Sequence, residues 1–109
     1  MQSTAKTPTL DEFESTATLN GRTEKLSANE FELLSQLLRY PEETISRESL
    51  KRIIGCDDGS LSNRRLDAAM TVLIRKVNVL HPTFNLVRFE PPDSYLYTTV
   101  APKRKPASG

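Results

Sequence analysis

The sequence contains no tryptophan, one cysteine, one histidine and four glycines in 109 residues. A lone cysteine excludes an internal disulfide and a multi-cysteine zinc site, and a lone histidine excludes paired-histidine metal motifs. No apolar run approaches the ~20 residues that a membrane span needs. The stretch Met1–Pro8 lacks the apolar core of a secretory signal. Glycine-rich phosphate loops, spaced carboxylate pairs and nucleophile–base arrangements are missing too. Nothing therefore points to an enzyme, a metal, a cofactor or a small-molecule ligand. Asp57, Asp58 and Gly59 resemble the opening of a calcium loop, but no glutamate follows at the required spacing. The length fits one small domain and leaves no chain for a second domain or a large cleft. Together these features describe a cytosolic (cytoplasmic) domain built on a single core.

Charge of either sign is scarce in sum, with 15 Lys and Arg against 14 Asp and Glu. Its distribution is uneven. Residues 27–60 carry four basic and seven acidic side chains, whereas 61–80 carry four basic and one acidic. The last nine residues add Lys103, Arg104 and Lys105 with no acid. A polyanion would meet the chain at 61–80 or at this tail. As a terminal run, 103–105 reads first as a solubilising tail.

Residues 1–12 show no periodicity and read as a disordered linker or remnant, and 101–109 as a disordered basic tail. Between them, 13–100 reads as one domain. Asn20-Gly21 joins two short strands over 14–19 and 22–26, because both residues tolerate the positive φ of a type I′ turn. Ser27 and Glu30 form a capping box ahead of a helix whose apolar face is Phe31, Leu34, Leu37 and Leu38. Pro41 stops it at Tyr40. A second start at Ser46 leads into a short helix with Leu50, Ile53 and Ile54, ended by Gly55. A loop follows, in which Cys56 reads as a semi-buried filler. Ser62 or Asn63 then caps a third helix with Leu66, Met70, Leu73 and Val77 on one stripe. That helix fades near His81, which caps or faces solvent. Strands over 84–89 and 94–100 flank the turn Glu90–Asp93. This order defines an α+β winged helix-turn-helix: three helices, a short N-terminal antiparallel sheet and a C-terminal β-hairpin wing.

Three stretches carry a family likeness. Gly21–Leu34, Ile45–Leu50 and Arg64–Lys76 resemble the strand–helix entry, the second-helix start and the recognition helix of OmpR/PhoB-type response-regulator effector domains. The likeness spans about 13–98. It implies a bacterial two-component transcription regulator whose third helix docks in the DNA major groove beside the wing. It further implies tandem half-sites bound as a dimer, a loop 55–62 free to touch RNA polymerase, and a receiver domain before residue 1. The chain departs from the family at Thr71, Val72 and Ile74, where basic residues are usual. It departs again at the wing, where Glu90 and Asp93 replace a glycine-rich turn.

The resemblance places DNA contacts at Arg64, Arg65, Ala69, Thr71, Val72, Ile74 and Arg75, and Lys76 joins them as the next cation of the helix. Arg64 and Arg75 clamp phosphates, and Arg65 with Thr71 faces base edges. Ser46 and Arg47 hold the backbone through N–H groups and charge, and Arg88 stands in for the wing arginine. Two alternatives stay open. Taken alone, the cations of 64–76 read as the solvated face of an amphipathic helix, and the fold context turns the reading towards DNA. Thr71, Val72 and Ile74 fit thymine methyls in an A·T-rich site, or a neighbouring protein surface. In the second case the winged helix is a protein-interaction module with weak or no DNA binding.

Overall fold

In the computed structural model, residues 7–55, 59–82 and 85–99 are described, with the side chains of 59–62 left aside. Three strands come first: β1 (Thr9–Asp11), β2 (Thr16–Leu19) and β3 (Arg22–Lys25). They form an antiparallel sheet in the order β1-β2-β3. Asn20 (φ 50°) and Gly21 (φ 84°) make the two-residue turn that the sequence demands. Strand β1 places 9–11, part of the stretch read as linker, in the sheet. Its register pairs Leu10 with Ala17, and Leu10 packs half-buried on the core between exposed Thr9 and Asp11. One apolar residue in three gives no periodicity, so only the neighbouring strand makes this segment a strand.

Helix α1 (Ala28–Arg39) opens with the capping box. The Ser27 Oγ accepts from the Glu30 N–H at 3.1 Å, and the Glu30 Oε1 accepts from the Ser27 N–H at 2.9 Å. Leu33, Leu34 and Leu37 are buried, and Phe31 and Leu38 flank them half-buried. Strand β4 (Ile45–Ser46) follows, two residues long and too short for any alternation to announce it. Helix α2 (Arg47–Ile53) buries Leu50 and leaves through Gly55 at φ 77°, a backbone angle that suits glycine.

Helix α3 (Gly59–Leu80) begins ahead of the expected start at Ser62 or Asn63. No proline interrupts 59–62, so the sequence allows the earlier start. The loop expected over 55–62 is therefore helical from Gly59 on, while 56–58 lie outside the described residues. Leu66, Met70, Leu73, Val77 and Leu80 bury one ridge against the core.

Strand β5 (Val87–Glu90) and β6 (Ser94–Tyr97) make the wing, and a second antiparallel sheet runs β4-β6-β5. Both strands are shorter than expected. Phe84 and Val100 lie outside the described residues, as does the tail 101–109. The chain leaves β6 because Glu42 captures its exit: Thr98 Oγ1 donates to Glu42 Oε1 at 2.6 Å, and the Thr99 N–H donates to Oε2 at 2.8 Å. No helix among the described residues is long and apolar enough to cross a membrane.

Candidate nucleic-acid interface

Helix α3 has two sides with different jobs. Opposite the buried ridge, Arg64, Arg65, Ala68, Thr71, Val72, Arg75 and Val79 are exposed. Their spacings of three, four and seven residues place them on one outward stripe. Arg64 and Arg75 stand about three turns apart, roughly 16 Å along the axis. Among the described residues no carboxylate pairs with either. Three of the predicted cations thus share one open face.

The remaining predicted residues of α3 do something else. Lys76 turns back onto the domain, donating to Glu30 Oε1 and to the Lys25 carbonyl, each at 2.8 Å. It ties α3 to α1 and β3 and lies half-buried, off the outward stripe. Burial opposes ionisation of Glu30, but the bonds from Lys76 and from the Ser27 N–H outweigh it and hold the carboxyl below 4.5. Ala69 and Ile74 are half-buried and pack on the core, so they too sit off the open face. Thr71 remains outward, though its hydroxyl donates to the Asp67 carbonyl at 2.8 Å.

The other flank of α3 holds the feature that the sequence did not reveal. Arg47 grips Asp67 with two parallel bonds, Nε to Oδ1 at 3.0 Å and Nη2 to Oδ2 at 2.9 Å. The same guanidinium reaches Asp93 at 3.1 Å and lies 5.1 Å from the Phe89 ring centre. Tyr95 donates its hydroxyl to Asp67 Oδ1 at 2.9 Å and meets Phe89 edge-on at 5.2 Å. The planar guanidinium fork matches the two carboxylate oxygens, which gives the pair its fixed geometry. Arg47 is therefore a strut joining α2, α3 and the wing. Ser46 is likewise engaged, its Oγ accepting from the Ser49 N–H at 3.2 Å as the α2 cap. The clue was in the sequence: Asp67 is the one acid in 61–80.

This strut also changes the wing. Asp93 is ion-paired with Arg47, and its carbonyl accepts from the Arg47 N–H at 2.9 Å. Arg88 is half-buried on the β5 face opposite Phe89; the Thr98 hydroxyl and the Thr99 N–H hold the Glu42 carboxyl below its usual value, and the Arg88 charge adds a smaller pull. It is not brought to the α3 stripe.

Tyr95 is 5% exposed, and burial first, then its bond to Asp67 and that carboxylate's charge, push its phenol well above 10.0. The fold therefore favours the neutral phenol. Its contribution is intact below the unfolded value and is lost as pH climbs past it. Urea unfolding between about pH 9 and 11 should show falling stability, and Tyr95→Phe should flatten part of that fall.

The arrangement defines a winged-helix domain: a helical core, an N-terminal sheet, and a hairpin wing strapped to an outward-facing third helix. No protein-family model matches the chain, and no curated protein matches it. Solved structures do. The C-terminal domain of the nisin resistance regulator NsrR, a lantibiotic response regulator, superposes with a TM-score of 0.72 at 24% identity, covering 91% of this chain and 99% of that one. The DNA-binding domain of CpxR from E. coli gives 0.73 at 22%, covering 92% and 100%. The response regulator AdeR DNA-binding domain, in complex with an intercistronic region, gives 0.71 at 15%, covering 90% and 100%. At such identities the likeness is one of fold, and the fold is the winged helix expected from the sequence.

Proposed function

We propose that this chain is a bacterial, cytoplasmic transcription-regulator domain that binds double-stranded DNA. Helix α3 lies in the major groove, and the wing follows the adjacent backbone. One observation carries the reading: Arg64, Arg65 and Arg75 share an exposed face directly opposite the ridge that anchors α3. Arg64 and Arg75 hold phosphates, and Arg65 faces base edges. The AdeR domain, similar in fold, is seen on an intercistronic DNA region, and that activity is carried over here as part of the proposal.

The test is a salt titration of duplex binding by fluorescence anisotropy. With Arg64 and Arg75 neutralising two phosphates, log affinity should fall with log salt at a slope of about −2, at −0.9 per contact. Absence of duplex binding at low salt overturns the proposal. It would leave a protein-interaction module, for which the exposed Val72 and Val79 offer the contact surface.

A further inference from the structure

The centre of the outward α3 stripe is chemically plain. Between Arg65 and Arg75 the exposed side chains are Ala68, Thr71 and Val72. None carries an amide, a carboxylate or a cation. Thr71 is less polar than its formula suggests, because its hydroxyl proton is committed to the Asp67 carbonyl. Ile74, which the sequence placed on this face, packs half-buried on the core. What α3 offers between its arginines is a patch of methyl groups, with Val72 37% exposed.

Base pairs differ in how they meet such a patch. Pairwise recognition of a purine edge requires asparagine, glutamine, arginine or lysine, and none of these faces outward at 66–74. The thymine C5 methyl is the apolar group that the major groove displays. We propose that Ala68, Thr71 and Val72 select thymine by its methyl group, so that the domain prefers T-rich half-sites held at each end by arginine. Ala68 to Val72 covers one helical turn, about 6 Å, the reach of about two stacked base pairs. This inference rests on the DNA-binding reading above.

Uracil tests it directly, because it lacks only the methyl. The probes are a duplex of about 20 base pairs with T-rich half-sites one helical turn apart, and the same duplex with uracil throughout. At fixed salt, each contacted thymine should favour the first probe by about fourfold, the worth of one buried methyl-sized group. Thr71→Ser and Val72→Ala should each bring the thymine-to-uracil ratio towards one and leave the salt slope unchanged. Equal affinity for both duplexes, with the salt slope intact, overturns methyl selection and leaves the DNA reading standing. Failure to bind either duplex at low salt overturns the DNA reading, and this inference with it.

Discussion

Replacing Arg64 and Arg75 together with alanine should weaken duplex binding on the order of a hundredfold, at about 1.4 kcal/mol for each arginine. The salt slope should become shallower by about two, because two phosphate contacts disappear. Thermal stability should barely move, since both side chains are exposed and unpaired among the described residues. Lys76→Ala is the informative control. Its ammonium already neutralises Glu30 at 2.8 Å, so its loss should lower stability while the salt slope stays as it was. If instead Lys76→Ala flattens the slope and the double arginine variant does not, the interface lies on the α1 side of α3. Anisotropy titrations over a range of salt concentrations, paired with thermal melts, separate the two outcomes.

That control exposes what a sequence can and cannot reveal about such a site. The ridge Leu66–Val77, the Ser27–Glu30 box and the Asn20-Gly21 turn were legible because each depends on residues within a few positions of one another. The outward placement of Arg64, Arg65 and Arg75 followed from the same helical period. Lys76 and Arg47 carry the same charge sign as those arginines, and their spacing suits DNA equally well. Their partners, Glu30, Asp67 and Asp93, lie 46, 20 and 46 positions away, and no local pattern encodes such pairings. Strands β1 and β4 escaped for a related reason, because β2 and β6 supply the hydrogen bonds that make those segments strands. The helix start at Gly59 is a milder case, in which Ser62 and Asn63 are cap residues by type but lie within the helix.

Asp67→Ala should destabilise the domain by about 2–3 kcal/mol, and for a domain of this size lower the melting temperature by roughly 10–15 °C. One carboxylate serves both the Arg47 fork and the Tyr95 hydroxyl, so its removal strands two donors at once. The phenol is the costlier orphan, because Tyr95 is 5% exposed and has little access to water. The Arg47 pair contributes less than its geometry suggests, since the two side chains retain 21% and 36% exposure and solvent screens them. Asp67→Asn, which keeps the shape and one acceptor, should recover part of the loss. The effect on DNA gives the sharper result. Deleting an acid beside an arginine face raises affinity for a polyanion if charge alone matters. On the present geometry affinity should instead fall, because Asp67 is what fixes α2 and the wing against α3. Faster amide exchange at β5 and β6, measured below the unfolding transition, should accompany that fall. A tighter complex with an unchanged wing would show that Asp67 acts through its charge and that the wing holds its place without it.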